Sequence, residues 1–175
     1  MKSKIVLITG NLGYVGVELV KHLNQNDKNL FIIGYDTFYF KDDIFKKSSN
    51  QKKFVDYQIN SDIRGQNFRP LNFFNIDTII HLAAISNDPM GNSFVKPTRE
   101  INNLYSKKLI DWAKKSRVKK FIFASSCSVY GFSDKICNEN SKTKPLTEYA
   151  KSKLEIEKYL KRKATKKFKA VSLRF

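Results

Sequence analysis

The amino-acid sequence predicts an α/β fold: a doubly wound parallel β-sheet with helices on both faces, built as one domain from residues 1–175. Three observations carry that reading. Short, solid apolar runs alternate with longer segments whose apolar residues recur at helical spacing, the pattern of successive strand–helix–strand units. The first run, Ile5 to Ile8, meets Thr9 and then three glycines spaced three apart, Gly10, Gly13 and Gly16. The second, Leu30 to Tyr35, ends on Asp36, twenty residues beyond Gly16.

The elements follow in order. Ile5 to Thr9 is a strand, and Val17, Leu19, Val20 and Leu23 after the glycines suit a helix. Leu30 to Tyr35 is the second strand. Phe38 to Lys53, rich in Lys, Ser and Asn, reads as a loop with room for one helical turn. Lys53 to Ile59 is a short third strand closing on Asp62 and Ile63, and Arg64 to Asn75 a helix interrupted near Pro70. Ile76 to Ala84 is a fourth strand running into small residues. Pro89, Gly91 and Pro97 make Ile85 to Pro97 a loop. From Thr98 to Ser116, Ile101, Leu104, Tyr105, Leu109, Ile110 and Trp112 recur at helical spacing. Lys119 to Ala124 begins a fifth strand that runs on into Ser125 to Gly131. A polar loop to Pro145 precedes a long helix, and Ala170 to Phe175 begins a sixth strand. There are no internal repeats.

Composition bounds the partners. At 175 residues the chain can bury about 70% of its unfolded surface. Lys2 and Lys4 precede only four apolar residues, too few for a secretory signal, and no apolar run approaches the ~20 residues of a membrane helix. Cys127 and Cys137 lack metal-ligand spacing, no metal site is expected, and the two thiols are read as reduced in a cytoplasmic protein. The net charge of +17 raises nucleic acid as a partner. Lysine supplies most of it, however, spread over helices and loops with no interleaved aromatic and Arg residues, so a solvated surface is the expectation. The positive charge would also attract anionic ligands.

At a strand–turn–helix junction the first N–H groups of the helix are unpaired and its dipole is positive, which suits a pyrophosphate. Glycine is needed there because a Cβ would block both the turn and the close approach of phosphate. The spacing alone also fits a surface turn before an ordinary helix; Asp36 adds the context. A carboxylate at the end of the second strand accepts hydrogen bonds from a ribose diol and repels a 2′-phosphate, and no Arg follows it, so NAD is expected over NADP.

Tyr149 and Lys153, in YAKSK, share one helix face. A phenol is a poor base at neutral pH, and a neighbouring ammonium together with an oxidised nicotinamide would favour the phenolate. That phenolate could take a hydroxyl proton as hydride leaves the same carbon, while a hydroxyl such as Ser126 stabilises the developing charge. The spacing recurs at Tyr159 and Lys163, but Tyr149 lies in the first helical turn after Pro145, near the sheet edge. Tyr149, Lys153, Ile156 and Leu160 form one stripe. His81, in an apolar strand, reads as a hydrogen-bonded core histidine, His22 as surface, and Cys127 as a small buried residue. Asn102 could bond backbone near the site or be solvated.

TGNLGYVG, DI at Asp62, HLAAIS, SSCSVYG, YAKSK and the terminal SLRF, in this order, resemble the extended short-chain dehydrogenases/reductases, specifically the NAD-dependent epimerase/dehydratase group acting on nucleotide sugars. The resemblance covers essentially the whole chain and implies an NAD-binding Rossmann fold. It places Gly10, Gly13, Gly16, Tyr14 and Val15 along the pyrophosphate and Asp36 on the adenosine ribose. Asp62 and Ile63 would flank adenine, and Leu82, Ala83 and Ala84 would pass beneath the cofactor. Ser126, Tyr149 and Lys153 would be catalytic, with Lys153 also holding the nicotinamide ribose. The Asp–Glu pair of the 4,6-dehydratases is replaced by Cys127 and Ser128, which favours epimerase or reductase chemistry. Members continue into a substrate-binding region that these residues lack, so the chain is expected to be the cofactor-binding portion. A non-catalytic NAD-binding or interaction protein is the alternative. The resemblance also implies a homodimer formed through the helices at Thr98 to Ser116 and Leu146 to Lys163.

Overall fold

The computed structural model describes residues 4–39 and 54–175. Its six strands are β1 (Lys4–Thr9), β2 (Leu30–Asp36), β3 (Tyr57–Asn60), β4 (Thr78–His81), β5 (Lys120–Ser125) and β6 (Lys169–Arg174). They form one sheet in the order β3-β2-β1-β4-β5-β6, and every pair is parallel. The chain winds from β1 outward to β3, returns to the middle, and winds the other way from β4 to β6. β1 and β4 are thus neighbours that lead into opposite halves, with Val6 to Thr9 in register with Thr78 to His81. In a parallel sheet such a reversal opens a crevice at the C-terminal ends of the strands.

The period-two alternation of β1 divides the core. Val6 and Ile8 pack with Ile32, Leu30 and Val20, the last from helix α1 (Tyr14–Asn26), on one face. Leu7 faces the other way, into the cluster that holds Leu109, Ile110 and Ala113 of helix α4 (Ser106–Lys115) and Ile156 and Leu160 of helix α5 (Glu148–Lys163). Helices therefore lie on both faces, as expected of a doubly wound sheet. No helix among the described residues is long and apolar enough to cross a membrane.

Several elements depart from the sequence expectation. The loop expected over 38–53 lies outside the described residues from position 40 on. The third and fourth strands are shorter than expected, confined to Tyr57–Asn60 and Thr78–His81. The helix expected from Arg64 to Asn75 is a 3₁₀ helix, Gln66–Phe73. Pro70 cannot donate, and Phe68 adopts φ 61°, so a regular α-helix cannot propagate through the segment. The loop expected from Ile85 to Pro97 contains two short helices, α2 (Asp88–Ser93) and α3 (Val95–Thr98). Asn87 starts the first by accepting the Met90 N–H at 2.9 Å, and Pro89 fits the first turn, where its missing donor costs nothing. After α3 the chain passes through a π-helical segment, Arg99–Tyr105, before α4. β5 stops at Ser125, and Cys127–Tyr130 coils into a 3₁₀ turn ended by Gly131 at φ 71°.

Candidate active site

At the end of β1 the main chain passes itself closely. Gly10, at φ 72°, donates to the Tyr35 carbonyl at 2.8 Å, and a Cβ on it would lie 2.7 Å from the Ala83 nitrogen. A Cβ on Gly16 would lie 2.3 Å from the Gly10 carbonyl oxygen. Helix α1 begins at Tyr14 with Gly13 as its N-cap, with no side-chain cap and no acidic residue in its first turn. Tyr14 and Val15 are exposed there. The helix start thus leaves its N–H groups and positive dipole end open to the crevice.

Asp36 closes β2 against this turn: its Oδ2 accepts the Leu12 N–H at 3.1 Å and its Oδ1 the Phe38 N–H at 3.2 Å. Leu82, Ala83 and Ala84 lie just past β4 beside Gly10, and Leu82 donates to the Thr9 carbonyl at 3.0 Å. Asp62 forms an ion pair with Arg64 at 2.7 Å, which holds its carboxyl below the usual range, and its carbonyl accepts from the Tyr35 hydroxyl. The Ile63 side chain belongs to the core. Sequence reasoning missed Asn11, a buried amide between the glycines that exchanges hydrogen bonds with Gln58 at 2.8 and 3.3 Å and so ties the turn to β3. Its one signal was a polar residue in a motif that otherwise needs only glycine and apolar groups.

The second cluster forms where β5 ends. Ser126 accepts the Ser128 N–H at 3.2 Å, which turns the chain sharply and brings the Ser126 hydroxyl to the Tyr149 phenol. Thr147 caps α5 by accepting the Ala150 N–H at 3.1 Å, so Tyr149 stands in the first turn and Lys153 one turn below it. Both side chains are buried, 7% and 4% exposed. Lys153 Nζ donates to the Ala124 carbonyl at 2.7 Å, and sits 4.9 Å from the Phe123 ring centre and 5.5 Å from that of Tyr149.

Burial dominates the protonation chemistry of both groups. Burial lowers Lys153 to about 7, so at neutral pH the amine is only half charged. Burial also raises Tyr149 above its ordinary value; the Ser126 hydrogen bond works against this, and the neighbouring Asp88 and Cys127 add to it. Burial is the largest influence on both groups, so the phenolate expected beside an oxidised nicotinamide is not favoured by the side chains alone. Cys127 is exposed at this edge and not the buried residue expected, because the 3₁₀ turn swings its side chain away from the core.

The remaining candidates are structural. His81 is buried between Thr9 Oγ1 at 2.6 Å and Ser106 Oγ at 2.8 Å, with its pKa lowered to about 3 by burial, so it stays neutral. Asn102 both donates to and accepts from the Ile85 main chain, at 2.9 and 2.8 Å. That resolves its two readings in favour of backbone support for the loop after β4. His22 lies on the surface of α1. The competing pair lies elsewhere: Tyr159 donates to Asp111 at 2.7 Å between α4 and α5.

The NAD dependent epimerase/dehydratase family matches residues 6–175. A Methanocaldococcus jannaschii protein provisionally named UDP-glucose 4-epimerase is 32% identical over 162 residues, 90% of this chain and 50% of that protein. The human dTDP-D-glucose 4,6-dehydratase is 31% identical over 160 residues, 89% of this chain and 45% of the enzyme. The chain spans about half the length of the curated relatives it matches. Among solved structures, the UDP-glucuronic acid 4-epimerase of Bacillus cereus, in complex with UDP-glucuronic acid and NAD, superposes with a TM-score of 0.83 at 25% identity, over 97% of this chain and 55% of that one. Sheet order, glycine turn and sequence similarity over nearly the whole length agree: the chain belongs to the NAD-dependent epimerase/dehydratase family.

Proposed function

We propose that residues 1–175 form the NAD-binding and catalytic portion of a nucleotide-sugar enzyme of epimerase or reductase type. The observation that carries this reading is the convergence of Tyr149, Ser126 and Lys153 on the edge of the sheet that also bears the glycine turn. The residues present fit NAD: Gly10 and Gly16 let the turn fold tightly onto its own backbone, and the start of α1, with no side-chain cap, suits a pyrophosphate. Gly13, Tyr14 and Val15 would complete that contact. Asp36 would bind the adenosine ribose, Asp62 and Ile63 would flank adenine, and Leu82, Ala83 and Ala84 would lie beneath the cofactor.

NAD bound here would supply the acceptor for a hydride from the sugar carbon. Tyr149 takes the proton of the sugar hydroxyl, while Ser126 donates a hydrogen bond to the same oxygen. Lys153 holds the nicotinamide ribose and, once charged, favours the phenolate. The low proton affinity that burial gives Lys153 makes its charging sensitive to the groups placed beside it. Support for a nucleotide sugar as substrate comes from relatives named for UDP-glucose and dTDP-glucose and from the UDP-glucuronic acid complex. Cys127 and Ser128, in place of a carboxylate pair, favour the epimerase and reductase branches over dehydration.

The test is a fluorescence titration of the chain with NADH and NADPH, followed by nicotinamide reduction with UDP-glucose as the probe substrate in a longer protein that joins this chain to a substrate-binding region. Saturable binding favouring NADH and lost in Asp36→Ala is expected. Tyr149→Phe is expected to keep NADH affinity and to lose on the order of 10²–10⁴-fold in reduction rate. An unchanged rate in Tyr149→Phe would refute the assignment. NADH binding without any reduction would favour a non-catalytic NAD-binding protein.

A further inference from the structure

The short helix α2, in a segment whose sequence reads as a loop, packs directly on the start of α5. Asp88, its first residue, spends both carboxylate oxygens on hydroxyls from two different elements. Its Oδ2 accepts from Ser128 Oγ at 2.9 Å, and its Oδ1 accepts from Thr147 Oγ1. The direction of the second bond is determined, because Thr147 Oγ1 already accepts the Ala150 N–H as the helix cap and its own proton must go outward. Ser128 lies two residues after Ser126, and Thr147 two residues before Tyr149. The same helix touches Tyr149 itself: a Cβ on Gly91 would lie 2.8 Å from Tyr149 Cβ. Asn92 Oδ1 accepts the Glu148 N–H at 3.4 Å.

From this geometry we infer that Asp88 is a positioning residue, a single carboxylate that clamps the turn carrying Ser126 to the helix start carrying Tyr149 and so sets the distance between the two hydroxyls. The inference rests on the roles given above to Ser126 and Tyr149. Lys153 to the Ala124 carbonyl and Ser125 to Glu157 tie the body of α5 to β5, but the loop between the 3₁₀ turn and the first turn of α5 is long and polar. At the 3₁₀ turn and the helix cap themselves, Asp88 is the side chain that bonds both, so losing it shifts the spacing of the two hydroxyls. Asp88 also places a negative charge near the phenol, where it opposes phenolate formation. Position and charge can therefore be separated by substitution. Asp88→Asn keeps an acceptor for Thr147 and offers its amide N–H to Ser128 Oγ, but removes the charge. Asp88→Ala removes both.

The experiment uses the whole chain labelled with [13Cζ]tyrosine, with the Tyr149 resonance assigned by its loss in Tyr149→Phe. Asp88→Ala is expected to move the neutral-form Tyr149 resonance, as the Ser126 contact is released, and Asp88→Asn to return it close to the wild-type position. Tyr149 in Asp88→Asn is expected to titrate at lower pH than in wild type. Ser128→Ala, which cuts one arm of the clamp and leaves the helix cap intact, should move the neutral-form resonance in the same direction as Asp88→Ala, by less. A Tyr149 resonance and titration unchanged in Asp88→Ala would overturn the inference. If Asp88→Ala does not fold, an unchanged resonance in Ser128→Ala would overturn it. NADH titrations on the same samples keep the two readings apart. All three variants should bind NADH as wild type does, whereas failure of the wild-type chain to bind NADH would sink the proposed function and leave the Tyr149 result standing.

Discussion

Lys153 makes the ligand-free chain less stable at neutral pH than in mild alkali. The amine is 4% exposed and titrates at about 7, against 10.5 for an ordinary lysine. A depressed folded-state value means that the unfolded chain binds the proton more tightly. The stability contribution is therefore fully present above about pH 10.5 and lost as the pH falls through about 7. Integrating the linkage gives a penalty of about 4 kcal/mol at pH 7 and about 1 kcal/mol at pH 10, a gain of about 3 kcal/mol across that window. Above pH 10 the raised phenol of Tyr149 opposes the trend, so the measurement stops there. Lys153→Met keeps the packing of the side-chain stem but removes both the proton and the bond to the Ala124 carbonyl, whose loss costs about 1–3 kcal/mol. The variant should therefore be more stable than wild type at pH 7 and less stable at pH 10. Urea unfolding followed through Trp112, the single tryptophan, measures this directly at the two pH values. Equal pH dependence in the two proteins would refute the assignment of a neutralised buried amine.

Three further outcomes follow from the glycine turn and the buried histidine. Gly16→Ala forces a Cβ to within 2.3 Å of a main-chain oxygen, so it should destabilise the chain by about 1–3 kcal/mol and abolish saturable NADH binding. Gly13→Ala, with its nearest atom at 3.3 Å, should be milder on stability in the same denaturation assay. His81 should keep its neutral-ring NMR shifts at pH 5, and the stability tied to its neutral form should decline only as the pH falls from about 6.5 towards 3. A ring that titrates near pH 6.5 would contradict its burial between Thr9 and Ser106.

Much of this molecule is legible in its chain. Solid apolar runs become strands because a strand in a parallel sheet is covered on both faces, and Ile5 to Ile8, Leu30 to Tyr35 and Phe121 to Ala124 all read that way. Gly10 and Gly16 announce a turn because no other residue fits where backbone passes backbone. Tyr149 and Lys153 announce one face because a helix repeats every 3.6 residues. These are local consequences of backbone sterics and periodicity, and they suffice for the doubly wound fold class, while the family was legible only in the resemblance of the ordered motifs.

The tertiary structure decided what depends on atoms distant in sequence. Helix α2 forms in a stretch whose Pro and Gly content signals a loop, because Asn87 caps it and the start of α5 packs against it. Asp88 finds Ser128 40 residues away and Thr147 59 residues away. Cys127 points outward because β5 stops at Ser125 and Cys127–Tyr130 coils into a 3₁₀ turn. Lys153 holds its proton weakly because Phe123, Ala124 and Tyr149 exclude water from it, and burial makes Tyr149 hold its proton more tightly. Spacing brings two side chains onto one face, but only the packing around them sets the dielectric in which their protons are held, and with it the direction in which each pKa moves.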